Sequence, residues 1–453
     1  MYTLQRACWI VGKLDSSAGR LSAFDDVVQK SAKVRLAYQF YENAPHWVKA
    51  LLLQLYGAKC YLSLVWASSG DADIALFASY PNERVAIDHV RRRLHGRSIA
   101  ELAVATRNCL GLPALLALPG CLAAALRLHR LARRLARRLH FMPACRVFST
   151  LAYHLRFQRL LEEHDVSAVF IANHYSPECL ALAAAAHRSG RKVIFANHAN
   201  ATWEAGFVPP LHSDLAAVNG QAVLDIYTRS SGKAINAVFI PPASPQSPLR
   251  ARIDSRDGLT VGIFLTALTN MPRLRSLVQE LTDNPKVRRI LIRPHPVTII
   301  NEDLSDLCTP GGPVEDMSGT LLFDNARDCD LAICGNSTAT IEILRGGAPV
   351  LYDSGLDRCA YDYNGYLKRR LVPKLPDRLD GAALESVSRF YQDPAWAGVM
   401  RNLDASYGQD EAAMFDRLNL AIAETVAARS RAAAPAPRRP LAGELAAATP
   451  AKG

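Results

Sequence analysis

The chain has 453 residues, 49% hydrophobic and 21% charged, with a formal net charge of +11. At about 100–200 residues per domain this is enough for two or three domains with real cores, and the composition excludes wholesale disorder and fibrous repeats. The charge is local. Residues 84–138 hold twelve arginines against two acids, Asp88 and Glu101, with no lysine and no aromatic residue. Nucleic-acid surfaces interleave aromatics with both kinds of cation, so this stretch points away from nucleic acid and toward membrane lipid or a phosphorylated partner.

The ten cysteines are scattered, with no C-x-x-C pair and no zinc spacing, and read as reduced, mostly buried thiols. Met1–Arg20 shows no basic region followed by an apolar run, so a cytoplasmic location is expected, peripheral on the inner face of the cytoplasmic membrane if the arginine-rich segment meets lipid.

In chain order, the first legible strand is Ile74–Ser79. It is preceded by Asp71-Ala72-Asp73, a D-x-D pattern that other sugar transferases use for a divalent ion. Here the pair enters a strand instead of leaving one, so it reads as a turn. Next comes an apolar run, Leu110–Leu128, interrupted by Pro113 and Pro119. Leu128, Leu131, Leu135 and Leu139 then share one helical face, with arginines around the rest. Such a pattern fits an interfacial helix, leucines in the acyl boundary and arginines on headgroups, and equally a core helix with a solvated basic side. The short length and two prolines disfavour a transmembrane span.

Ala168–Ala172, a helix over Pro177–Arg188, Lys192–Ala196, Leu215–Val218 and a helix over Gln221–Ser230 then alternate as βαβ units. The stretch Pro241-Pro242-Ala243-Ser244-Pro245 can form neither helix nor central strand and reads as a linker. Beyond it, strands Leu259–Leu265, Arg289–Ile292, Leu331–Ile333 and Val350–Tyr352 alternate with helices that include Leu274–Leu281 and Thr340–Arg345. The fold class is therefore α/β, two Rossmann-like doubly wound domains facing a cleft. The boundaries are 1–240 (with an amphipathic helix near 110–140), a linker at 241–250, 251–426, and a disordered Ala/Pro/Arg-rich tail at 427–453.

In open α/β sheets ligands sit beyond the carboxyl ends of the strands, so strand exits are where chemistry is sought. Ile292-Arg293-Pro294-His295-Pro296 leaves one strand with a guanidinium and an imidazole on a proline-pinned backbone. Gly335-Asn336-Ser337-Thr338 leaves another and opens a helix, offering amides and hydroxyls to an anion, and Thr266 follows a third. Together these resemble a clamp for a nucleotide phosphate, whose developing charge needs neutralising as it departs. In the earlier half, His174 and His198 leave successive strands, and Glu204 follows in the loop. Each is of the type needed to deprotonate an acceptor hydroxyl, with Glu178 and Asp214 as competitors.

At Arg293-Pro294-His295-Pro296, Ser337-Thr338 and Val193–His198, the chain resembles bacterial surface-polysaccharide transferases of GT-B architecture, especially CDP-glycerol glycerophosphotransferases and CMP-sugar capsule transferases. The resemblance covers about Ala168–Pro373. It implies that His295 and the Ser337-Thr338 turn contact the donor phosphates and that a residue of the first half serves as base. Beside it, the strand exits themselves place Arg293, Gly335, Asn336 and Thr266 as expected donor-binding residues and His198 as the first choice of base. Ala199 stands where those families often carry glycine, and Arg256-Asp257-Gly258 departs from the acidic-acidic-Gly motif of sialic acid polymerases.

The expected function is a metal-independent glycosyltransferase or glycerophosphotransferase. It would use a nucleotide-activated donor, CMP- or CDP-linked, as substrate with no bound cofactor, and a surface glycan or lipid-linked acceptor. A nucleotide-sugar 2-epimerase and a non-catalytic glycan-binding relative are the alternatives.

Overall fold

The computed structural model describes residues 3–15, 32–67, 72–104, 112–198, 207–266, 269–295, 304–308, 311–318, 322–358 and 361–432. The first half contains α1 (Leu4–Asp15), α2 (Ala32–Asn43), α3 (His46–Ser63), β1 (Leu64–Trp66), β2 (Ile74–Phe77), α4 (Pro81–Arg91), β3 (Ile99–Val104), α5 (Leu112–Arg138), α6 (Phe141–Glu163), β4 (Ala168–Ile171), α7 (Pro177–Arg188), β5 (Lys192–Ala196), β6 (Leu215–Val218), α8 (Gln221–Ser231) and β7 (Ala237–Phe239). The second half contains β8 (Leu259–Phe264), α9 (Met271–Thr282), β9 (Val287–Arg293), β10 (Val314–Asp316), α10 (Leu322–Asp328), β11 (Leu331–Cys334), α11 (Ala339–Arg345), β12 (Val350–Tyr352), α12 (Gly381–Gln392), α13 (Trp396–Leu403) and α14 (Glu411–Ala432).

Seven strands in the order β1-β3-β2-β4-β5-β6-β7 form the first sheet, parallel except for β1 against β3. Five parallel strands in the order β10-β9-β8-β11-β12 form the second. The strands β2, β4, β5 and β6 are near-continuous apolar runs because both faces are covered. Phe77, Ile171, Phe195 and Val218 enter one core with α6 and α7, while Leu76, Phe170, Ile194 and Ala217 enter another. The architecture is thus two doubly wound parallel-sheet halves. Strands β1, β3, β7 and β10 were not legible in the sequence: three are only three residues long, and β3 carries Glu101, which salt-bridges Arg84 of α4.

The second face of the first sheet is closed by the end of the chain. Phe415, Leu418, Ile422 and Val426 of α14 pack against Ile74, Phe170 and Ile194. The helix begins inside the 251–426 range assigned to the second domain by sequence and continues to Ala432, into the stretch from 427 expected to be disordered, yet it completes the first half. The remainder of the tail, 433–453, lies outside the described residues.

One buried cation ties this return crossing together. Arg345, at the end of α11, and Asp404 are both fully buried. The Arg345 guanidinium donates to the Asp404 carboxylate, to Ser406 Oγ (2.8 Å), to the linker carbonyl of Ser244 (2.8 and 3.1 Å) and to Glu411 Oε1 (2.9 Å). Nearby, Gly220 at the start of α8 lies so close to the Leu403 backbone that a methyl group there would collide. Ala405 N donates to Asn219 O (2.7 Å), joining the exit of β6 to the second half.

The arginine-rich helix takes neither sequence-based form in full. Leu128, Leu131 and Leu135 are buried in the first-half core, so that stripe does not meet lipid. The helix runs unbroken through Pro119, and Gly120 admits the Tyr61 and Arg159 side chains to its surface. Eight cysteines are described, all free thiols and six of them buried; Cys109 and Cys359 lie outside the described residues.

Arg345→Met should remove about 3–5 kcal/mol of stability, because it strands a buried carboxylate, and urea denaturation should show it. A second test uses pH. His154 is buried on α6 with Nδ1 donating to Ala181 O (3.3 Å), and burial drives its pKa down to about 4. A folded value below the unfolded one of roughly 6.5 means full stability above that pH. As pH falls through about 4, up to roughly 3 kcal/mol is lost. Urea midpoints should drop across this window, and His154→Gln should flatten the slope.

Candidate functional site

Each sheet has one place where neighbouring strands leave in opposite directions around the fold, and there the crevice opens beyond the strand ends. In the second sheet this switch point lies between β8 and β11. Register puts Arg293, Phe264, Cys334 and Tyr352 in one row, so β9, β8, β11 and β12 all exit together. The β9 and β11 exits flank that of β8 and stand about 10 Å apart, two strand spacings. The structure therefore gathers Arg293, His295, Thr266 and the 335–338 turn at one edge.

Arg293 is half-buried. Burial lowers its pKa, and the Glu342 carboxyl, one turn into α11, raises it. Reciprocally, burial pushes Glu342 up while Arg293 and Arg345 pull it down. This mutual field is what links the two motifs. His295 has its pKa lowered, first by burial and then by Arg293. At neutral pH it is therefore an uncharged imidazole, able to donate or accept a hydrogen bond, and Arg293 supplies the positive charge. Pro296 lies outside the described residues.

The turn after β11 departs from the expected anion cradle. Asp357 is buried at the switch point, where its carboxylate accepts from Asn336 N and from the Thr266 hydroxyl. Ser337 N donates to Gly335 O (2.8 Å), and Ser337 Oγ accepts from Ala339 N (3.2 Å). The Asn336 side chain is spent on the following loop. Its Nδ2 donates to Tyr361 O (2.9 Å), and its Oδ1 accepts from Tyr352 Oη (2.8 Å) and Tyr363 N (2.7 Å). Thr266 and Asn336, expected as donor-phosphate ligands, thus hold an internal carboxylate and brace a loop. The α11 helix is only seven residues long, so its dipole adds little. Gly335 is required for packing, because a methyl group there would meet the Asp357 carboxylate.

In the first sheet the switch point lies between β2 and β4. Glu83, fully buried in the first turn of α4, accepts from Ser79 N (2.8 Å) and from Asn173 Nδ2 (2.8 Å). Asn173 Oδ1 in turn accepts from Tyr175 N (2.8 Å) and Ser176 N (2.9 Å), fixing the loop after β4. Burial raises the pKa of Glu83 against these hydrogen bonds, and burial also raises Glu178 beside it. Sequence reading passed over Glu83, although its signal was present: a strand exit followed by Pro81 at a helix start.

His174 and His198 leave adjacent strands but differ. His174 is buried edge-on among Tyr227 (4.8 Å), Tyr175 (5.3 Å) and Phe195 (5.7 Å), which makes it a packing residue in a box of rings. His198 is only partly buried, and its Nδ1 contacts the Ala172 carbonyl. A carbonyl only accepts, so the proton is on Nδ1 and the Nε2 lone pair remains for a substrate proton. Burial lowers its pKa, keeping it neutral. Asp214 lies at the opposite, entry end of the sheet. Burial pushes its carboxyl up, but His187 (2.9 Å), the Val193 amide (2.8 Å) and Lys192 hold it down at about 2, so it is no base. Glu204 lies outside the described residues.

Of the D-x-D pair, Asp71 lies outside the described residues, while Asp73 accepts from Ser98 N (3.1 Å) and Ser98 Oγ (3.2 Å), joining the entrances of β2 and β3. A cavity of about 440 Å³ lies at the outer edge of the first sheet, lined by Phe239 of β7, Arg401 of α13, Ala405, and Met414 and Arg417 of α14.

No protein-family model and no curated sequence matches the chain. Among solved structures, the glycosyltransferase SnogD from Streptomyces nogalater is similar at 13% identity and TM-score 0.42, over 77% of this chain and 98% of that one. MurG from Acinetobacter baumannii is similar at 12% and 0.40, over 78% and 99%. MnaA from S. aureus, solved with UDP, is similar at 8% and 0.44, over 76% and 94%. At these scores the likeness is in the general course of the chain.

Gly335→Ala should lower stability by about 1–3 kcal/mol by displacing Asp357. Gly398→Ala in α13, where open space surrounds the site, should cost nothing in the same thermal-denaturation assay.

Proposed function

We propose that the protein is a glycosyltransferase or glycerophosphotransferase-like enzyme of GT-B type, moving a sugar or polyol phosphate from a nucleotide donor to a glycan or lipid-linked acceptor. The observation that carries this reading is the grouping of Arg293, His295 and the Ser337-Thr338 turn at the switch-point edge of the second sheet, under the shared field of Arg293 and Glu342. A guanidinium that keeps its charge while half-buried is suited to a departing phosphate, because the low local dielectric strengthens the attraction. His295, neutral, supplies a hydrogen bond to the same group.

On the first sheet, His198 is the base. With a sugar donor its Nε2 takes the acceptor hydroxyl proton as the oxygen attacks the anomeric carbon and the nucleotide leaves with the bonding pair; with a polyol phosphate the same oxygen attacks phosphorus and the nucleoside monophosphate leaves. Glu83 and Asn173 shape the loop from which neighbouring groups project. A cytidine-linked donor rests on the resemblance of the motifs, and no step here requires a metal ion.

Melting temperatures with CMP, CDP, UDP and GDP test donor binding, since a ligand at 100 times its Kd adds about 2.7 kcal/mol. Arg293→Ala should abolish the shift. His295→Ala and His198→Ala should each cut turnover at least about tens-fold with the fold intact, and near-normal turnover in both would sink the proposal. Because both histidines titrate below their ordinary value, activity should persist from pH 7 down to roughly 6.5 and decline only below it, as the imidazoles protonate. A new sugar formed from UDP-N-acetylglucosamine without any acceptor would instead mark an epimerase.

A further inference from the structure

Two long helices of the first half carry large apolar side chains outward. On α3, Trp47 (70% exposed), Leu51 and Leu55 recur every fourth residue and share one stripe. On α5, Leu115, Leu122 and Leu126 (79% exposed) follow at spacings of seven and four and share one face, and Leu36 and Phe40 of α2 are exposed as well. The register of the two long helices is antiparallel. His46 Nδ1 meets Ala136 O (3.3 Å), Gln54 Nε2 donates to Ala125 O (3.2 Å), and Tyr61 packs on Ala117, Cys121 and Ala124. Leu55 is therefore level with Leu122 and Leu126 along the helix pair, and both helices expose leucines at that level.

Past Leu126 the outward face of α5 turns cationic. Arg127, Arg130, Arg133, Arg134, Arg137 and Arg138 are all exposed, and the helix contains no acid. Trp47, one residue from His46, stands at this end. Large apolar side chains exposed at the same level of two paired helices call for an occupant, and the arginines say which sort. A second copy of the chain would bring its own six arginines to the contact and be repelled. A bilayer with anionic headgroups offers hydrocarbon to the leucines and phosphates to the arginines. By length and composition Leu115–Arg138 is apolar enough to cross a membrane, but it lies packed along α3, which assigns it to the surface plane.

We propose that this face docks the protein on an anionic lipid bilayer. Trp47, Leu51, Leu55, Leu122 and Leu126 would lie at the acyl boundary and the α5 arginines on headgroup phosphates. The buried leucines 128, 131 and 135 hold the helix to the protein and take no part. The inference stands apart from the reading of the strand exits and does not depend on it.

The test is co-sedimentation of the full chain with vesicles of phosphatidylcholine containing about 30% phosphatidylglycerol, against phosphatidylcholine alone. Partitioning onto the anionic vesicles should be at least about tenfold stronger and should weaken with added salt. The double variants Leu122→Glu/Leu126→Glu and Arg130→Glu/Arg137→Glu change exposed side chains only. Each should reduce binding by about tenfold or more with an unchanged melting temperature. Wild-type protein left in the supernatant with anionic vesicles, or both variants sedimenting like wild type, would overturn the proposal. So would a concentration-dependent dimer, abolished by Leu122→Glu/Leu126→Glu, in a chain that ignores vesicles.

Discussion

The fully buried guanidinium of Arg345 is the constraint on which the arrangement of the two halves rests. It reaches the linker at Ser244, the crossing at Asp404 and Ser406, and the start of α14 at Glu411. The linker and the 404–411 crossing are distant in sequence, and their contacts to Arg345 are polar. A buried charge must be satisfied on all its donors, so the alternatives in which any one segment moves away are costly. Through this hub, the last helix is returned to the first sheet and the exit of β6 is brought against Leu403.

The two sheets solve the same problem at their switch points in the same way. Where strands diverge, backbone amides are left pointing into a crevice, and each crevice is filled by a carboxylate from a neighbouring segment: Glu83 in the first sheet and Asp357 in the second. These internal acids order the loops from which the substrate-facing groups project. They also change the electrostatic reading of the second site. With Asp357 taking the Asn336 amide and the Thr266 hydroxyl, a bound phosphate must rely on Arg293 for charge.

The surface of α3 and α5 shows how one helix can divide its labour. Along α5, small residues and the leucines at 128, 131 and 135 face inward, while Leu122, Leu126 and the arginines face outward. Apolar side chains therefore occupy both sides of its first half. A single-helix periodicity cannot say which of two apolar stripes finds a protein neighbour, because that depends on where α3 and α6 come to lie.

The sequence by itself determined the α/β class, the positions of the main parallel strands and the strand exits bearing Arg293, His295, His198 and the 335–338 turn. Apolar runs bounded by turn residues are local properties, and strand polarity follows from βαβ alternation. Tertiary structure alone decided that Asp357 plugs the second crevice and Glu83 the first, that His174 is enclosed by rings while His198 keeps a lone pair, and that α14 belongs with the first sheet. Each of these depends on which distant segment supplies a partner to a buried polar group or an apolar face, and chain order carries no record of that distance.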